Sequence, residues 1–162
     1  LLISKATMAE VKYNVEPDAK YPGLSPRELT NGLQGSVIFN SGRWVGYVGK
    51  DLDLTVDLGE VKPIRLISVR TLISAAQWIM PHRGLYVWVS TDGKNFEDIY
   101  DLPADPMPAN KPDYIDTENV LLPMPKEARY VRIKMLSEKS MPAWHPHTGK
   151  PGWLFVDEVT IE

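Results

Sequence analysis

An all-β domain, built as a sandwich or barrel, is what the sequence predicts, and three observations predict it. Apolar and polar residues alternate with period two at several places along the chain. Fourteen prolines and 11 glycines are scattered throughout, leaving little room for a long helix. No internal repeat or low-complexity tract divides the 162 residues into smaller units. A single domain of that length buries about two-thirds of its unfolded surface, enough for one core without disulfides or a structural zinc.

Taken in order, the opening "LLISKAT" (residues 1–7) reads as a domain boundary and residues 8–162 as the module proper. Its apolar tip lacks the charged segment and cleavage site of a signal peptide, and an opening without Met reads as a piece of a longer chain. The clearest strand is "DLDLTVDL", where Leu52, Leu54, Val56 and Leu58 share one face and Asp51, Asp53, Thr55 and Asp57 the other. "DLGEVKPI" supplies a turn, and "ISVRTL" and "LYVWVS" repeat the alternation. Asp92-Gly93, set between two strand-like runs in "VSTDGKNFEDI", signals a hairpin. Residues 102–112, "LPADPMPANKP", form a proline-broken loop inside the domain, because strands on both sides are needed for one core. "YVRIKM" and "LFVDEVTI" follow, giving about eight strands in all.

Several function classes fall away at once. The chain has no cysteine, which removes disulfide and thiolate chemistry. Its net charge is −3 with no basic run, which argues against nucleic acid, and no apolar stretch approaches the roughly 20 residues of a membrane-spanning helix. Nucleophile elbow, phosphate-binding loop, zinc-protease and dinucleotide motifs are missing. Asp157 and Glu158 are adjacent in a strand pattern, so their side chains are expected on opposite faces, unlike the paired carboxylates of a glycosidase. His145 and His147 could share a side, but no third ligand lies near them for zinc, so they read as surface-loop residues. His82, in "MPHRG", reads as a solvated turn residue.

The segments "ELTNGLQGS", "GRWVGYVGKDLDLTVDLGEVKPI", "VWVSTDGKNFEDI", "ARYVRIKM" and "WLFVDEVTI" occur in that order across nearly the whole chain. Together they resemble the factor V/VIII type C (discoidin-like) domains, and among them the family 32 carbohydrate-binding modules. "GRWVGYVGKDL" and "PAWHPHTGKPGWLFVDEV" further resemble the C-terminal module of Bacteroides-type chitobiases, β-N-acetylhexosaminidases of glycoside hydrolase family 20. The resemblance implies a galactose-binding-domain-like jelly roll of about eight main antiparallel strands, with ligand loops at one end. It also implies an accessory, non-catalytic domain of a secreted, periplasmic or cell-surface bacterial enzyme whose catalytic domain lies upstream.

Many members of this family hold calcium through an Asp-Gly pair, a Thr five residues after the Asp, and a Glu in the last strand. The matching positions here are Asn31 (before Gly32), Ser36 and Glu158. The oxygen donors are kept and one negative charge is lost, so the resemblance implies either a weaker structural calcium site or, as the alternative, a plain Asn31-Gly32 turn to which Glu158 bonds directly.

A sugar site wants an aromatic platform bordered by planar hydrogen-bonding groups. Trp88 alternates with Val87 and Val89 and belongs to a sandwich face, whereas Trp44, Trp78, Trp144 and Trp153 lie in loop-like segments. Loop tryptophans can mark a contact surface or plug the end of a sandwich; Trp153, joined to the last strand, is the expected plug. Arg43, Trp144 and His145 lead the expected carbohydrate-binding residues, followed by Trp78 and Trp44; Arg132 is expected to be structural. The leading functional expectation is a module that holds its parent enzyme on glycans ending in GlcNAc, GalNAc or galactose. The alternative is a module that packs against the catalytic domain or another protein and binds no sugar. Membrane binding is not expected, since the charge is acidic and no basic rim exists.

Overall fold

Period-two alternation becomes pleat over residues 54–58 and 130–135. Leu54, Val56 and Leu58 turn into the core while Thr55 and Asp57 turn out, and across the sheet Val131 and Ile133 are buried with Tyr130 and Arg132 outward. The computed structural model describes residues 1–162. It contains seven antiparallel strands: β1 (Glu10–Val15), β2 (Val45–Val48), β3 (Leu52–Ile73), β4 (Gly84–Ser90), β5 (Glu97–Pro103), β6 (Tyr114–Met135) and β7 (Trp153–Ile161). A short 3-10 turn covers Ala75–Gln77.

Strands β3 and β6 are 22 residues each and pair with one another along their length, but both bend midway. Register slips between Asp57 and Lys62 and again between Ile64 and Leu66. Gly59 adopts a positive φ of 86°, and Pro63, Pro123 and Pro125 have no N–H to give to a ladder, so pairing weakens there and the sheet folds over. The first half of β3 therefore pairs with β1 and the end of β6, which continues to β4 and β5. Its second half pairs with the start of β6 and with β7, which continues to β2. One continuous antiparallel sheet becomes the two layers of a sandwich, as the alternation predicts, in the jelly-roll form that the resemblance implies.

Between the layers lies a core of 24 buried apolar residues, including Leu54, Val56, Ile67, Val87, Val131 and Val159. Two smaller clusters close the loop regions. Trp44, Leu72, Ile79 and Phe155 pack with Tyr21, Phe39 and Trp153; Ile73, Ala75, Met80, Met107 and Met141 pack beneath Trp78 and Trp144. Residues 1–7, expected as a boundary, are tied to the module. Leu2 N–H donates to the Gly32 carbonyl (3.0 Å), Lys5 N–H to that of Ile161 (2.9 Å), and Ala6 is fully buried.

Two sequence expectations are corrected here. His82 is buried, not solvated: its Nδ1 accepts the Gly84 N–H (3.1 Å), and its Nε2 faces Glu118 at 3.1 Å. Asp157 and Glu158 reach the same loop, because a bulge intervenes: Arg70 pairs with Glu158 but Thr71 with Val156, leaving Asp157 as the extra residue. Asp157 then accepts the Gly35 N–H (2.6 Å) and Glu158 the Gly32 N–H (3.0 Å).

Candidate functional site

Ile73, which ends β3, pairs with Tyr114, which opens β6, and Leu72 pairs with Phe155 near the start of β7. The loops attached to those three ends, residues 74–83, 104–113 and 136–152, therefore gather at one edge of the sandwich. They enclose a concavity of about 390 Å³ whose lining includes Trp78, Asn110, Trp144, His145, Pro146 and His147.

Trp78 sits at the end of the 3-10 turn with φ 66° and ψ 18°, the left-handed region that non-glycine residues seldom occupy. Backbone bonds fix it there: its N–H donates to the Ala75 carbonyl (3.0 Å), and its carbonyl accepts the Trp153 N–H (2.6 Å). A conformation of this kind costs about 1–3 kcal/mol and persists only where its surroundings enforce it. The Trp144 indole N–H donates to the Met107 carbonyl (2.7 Å), pinning the proline-broken loop and bringing Asn110 to the rim.

His145 is only 4% exposed. Its Nε2 lies 2.8 Å from the Ala75 carbonyl, which can only accept, so Nε2 carries the proton; Nδ1 accepts the His147 N–H at 3.0 Å. Both ring nitrogens are thus spent inside the chain, and His145 is the post around which the 141–149 loop folds. His147 is exposed, and its ring lies 4.2 Å from that of Trp78, tilted by 38°.

Of the five expected carbohydrate-binding residues, Trp78, Trp144 and His145 come together and Arg43 and Trp44 do not. His145 is corrected from contact residue to loop support, because no ring nitrogen is left for a ligand. Trp44 is corrected to core: it is 1% exposed, packs on Leu72, Ile79 and Phe155, and donates its indole N–H to the Ser36 carbonyl (2.8 Å). Arg43 faces the fully buried Glu28 carboxylate at 3.5 Å. Trp153 packs edge-on to Tyr21 with ring centres 5.0 Å apart, an end plug as expected. Arg132 grips Asp53 through Nε (3.0 Å) and Nη2 (2.6 Å) and lies 4.9 Å over the Trp88 ring. His147, weighed for metal and read as a surface-loop residue, joins the site, as does Asn110, which the sequence does not single out. Nothing local in H-P-H says which imidazole faces out, and Asn110 has no signal beyond its place in a loop.

The calcium positions lie around the loop that Asp157 and Glu158 brace. Glu158 is 2% exposed; one carboxylate oxygen takes the Gly32 N–H and the other has no partner. Burial and then the charges of Asp157 and Glu28 push its carboxyl up to about 8. Asn31 donates its amide to Glu28 (2.5 Å) and accepts the Leu33 N–H (2.9 Å). Ser36 Oγ accepts the Ile38 N–H (3.2 Å). No trio of histidine and carboxylate side chains converges to hold a metal unaided. An orphaned buried carboxylate oxygen beside a second buried carboxylate nevertheless fits a calcium ion that draws further oxygens from amide and backbone carbonyls.

No curated protein sequence matches the chain significantly. Among solved structures, the chain is similar to the module CpGH89CBM32-6 of Clostridium perfringens (18% identity, TM-score 0.57), covering 99% of this chain and 98% of that one. It is also similar to a Streptococcus pneumoniae fucose binding module (16% identity, TM-score 0.61; 98% and 94% covered). A third, CpGH89CBM32-5 of Clostridium perfringens, was solved in complex with GalNAc-β-1,3-galactose (17% identity, TM-score 0.55; 93% and 92% covered). Identities this low establish a shared fold, that of family 32 carbohydrate-binding modules. The family model for the F5/8 type C domain matches residues 16–154, and with the jelly roll and its loop-end concavity in place, the chain belongs to the F5/8 type C domain family.

Proposed function

We propose that this chain is a non-catalytic carbohydrate-binding module that takes a terminal GlcNAc, GalNAc or galactose-type sugar at the loop-end concavity. The observation that carries this reading is the convergence of Trp78, Trp144, Asn110 and His147 from three separate loops on one opening. The indoles offer apolar faces to the C–H side of a sugar ring, while Asn110 and the exposed His147 ring offer donors and acceptors to its hydroxyls. The structures of a fucose binding module and a GalNAc-galactose complex in the same fold support this ligand class. The resemblance to chitobiase C-terminal modules supports a parent β-N-acetylhexosaminidase, secreted or on the surface of a bacterium. Tethering a weak sugar site to such an enzyme raises the effective concentration of glycan at its active site. Calorimetric titration with GlcNAc, GalNAc, galactose and their β-linked disaccharides tests the reading. Millimolar binding abolished in Trp144→Ala is expected, and silence across the panel overturns it.

The structural calcium belongs to the same proposal. Glu158, Glu28 and Asn31, with loop carbonyls and Ser36 at the far end, would hold the ion. Bound there, calcium supplies positive charge to a buried acidic cluster and stiffens the 28–36 loop.

A further inference from the structure

We propose that the outer face of the β1–β3–β6–β4 layer carries a second saccharide site, built for an oligouronate chain. Lys12, Thr55, Arg132 and Trp88 are register partners in one row across those four strands. Beside that row lies a concavity of about 450 Å³ lined by Lys12, Asn14, Thr55, Phe96, Tyr130 and Arg132, with Gly93 at its edge. None of these residues belongs to the loop-end site, so the two proposals stand or fall separately.

Charge complementarity identifies the occupant. The lining holds two cations and no carboxylate, on a chain whose net charge is −3. Asp98, exposed, follows Trp88 in the row but lies outside the lining. Asp53, which touches Arg132 and Asn14, is 6% exposed with its oxygens engaged by Arg132 and by the Asn14 amide (3.0 Å). It therefore aims Arg132 without offering an anion to solvent, and leaves the Nη1 edge of the guanidinium unspent. Lys12 is exposed and makes no ion pair. A planar guanidinium and a free ammonium flanking one hollow suit the planar carboxylate of a uronic acid.

The rest of the lining suits the sugar that carries it. Phe96 is 38% exposed at the β4–β5 hairpin and presents an aromatic face. Tyr130 is held against that hairpin, where a Cβ on Gly93 would lie 3.1 Å from its ring. The Asn14 carbonyl oxygen and the Thr55 hydroxyl remain able to accept from ring hydroxyls. Aromatic face, amide, hydroxyl and paired cations are the groups a uronate needs, whereas an acidic peptide would use only the cations.

The test is an amide-resolved NMR titration of the whole chain with trigalacturonate, with an uncharged galactose oligosaccharide, and with hexaglutamate. Trigalacturonate is expected to move the Lys12, Thr55, Gly93 and Phe96 resonances and to weaken with added salt. Lys12→Ala and Phe96→Ala, both at exposed positions, should each reduce its affinity about threefold or more while the fold is kept. Binding by the uncharged oligosaccharide or by hexaglutamate equal to that of trigalacturonate overturns the proposal. So does a response to trigalacturonate that is absent or confined to the Trp78 and Trp144 loops.

Discussion

The His147 ring packs 4.2 Å from the Trp78 ring at a tilt of 38°, joining two loops that are about 70 residues apart in sequence. Neither ring is enclosed, so each keeps surface for a ligand. Trp78→Ala and His147→Ala are therefore expected to weaken sugar binding by about tenfold each. His147→Ala should do so with little change in unfolding midpoint and Trp78→Ala with a lowered one, because Trp78 also covers the apolar cluster around Met80. Calorimetry and urea denaturation on the same samples separate the two effects. Full affinity in both variants would remove the pair from the site.

His145 should behave in the opposite way. His145→Ala leaves the Ala75 carbonyl and the His147 N–H without partners, a loss of about 1–3 kcal/mol in stability. Its effect on affinity is expected to follow from loosening of the 141–149 loop, so His145→Gln, which can donate to the carbonyl, should recover part of both. A variant that loses affinity at unchanged stability would return His145 to the ligand.

The sandwich was legible in the sequence because its signal is local. Alternation in residues 51–58 dictates which side of β3 is buried, and Asp92-Gly93 marks the β4–β5 hairpin without reference to anything distant. The site was legible only in part. Trp78 and Trp144 stood out as loop aromatics, but Trp44 looked the same and is core, since Leu72, Ile79 and Phe155, distant in sequence, pack against it while Gly35 and Ser36 close over its indole. The bulge at Asp157 was invisible for the same reason: period two holds until a partner strand slips, and the slip is a property of the pair.

Gly35 gives that enclosure a test. An added Cβ would lie 2.5 Å from Trp44 Nε1 and 2.7 Å from Cε2, against a rigid ring that cannot bend away. Its φ is not in the left-handed region, so the cost of Gly35→Ala is steric, about 1–3 kcal/mol of stability. Gly49→Ala is the contrast, with no atom within 4 Å but a φ of 69°, and should cost about 1 kcal/mol through backbone strain alone. Denaturant midpoints of the two variants check the order, and a neutral Gly35→Ala would mean that Trp44 is loosely held.

Calcium and protons should compete for Glu158. Burial and the neighbouring charges of Asp157 and Glu28 raise its carboxyl from 4.5 to about 8, so the folded state holds that proton more tightly than the unfolded chain does. Without metal, its contribution to stability is fully present below 4.5, declines as pH rises toward about 8, and is gone above it. Calcium must displace the proton, so stabilisation by the ion should grow across the same window, reaching about 2.7 kcal/mol where the ion is at a hundred times its dissociation constant. Melting curves in calcium and in chelator, taken from about pH 5 to about pH 9, read both trends. Glu158→Gln can keep the Gly32 bond and offers an amide to the buried acids, so it should flatten the chelator curve and erase the calcium response. A melting temperature indifferent to calcium at every pH would leave the 28–36 loop braced by Asp157 and Glu158 without an ion.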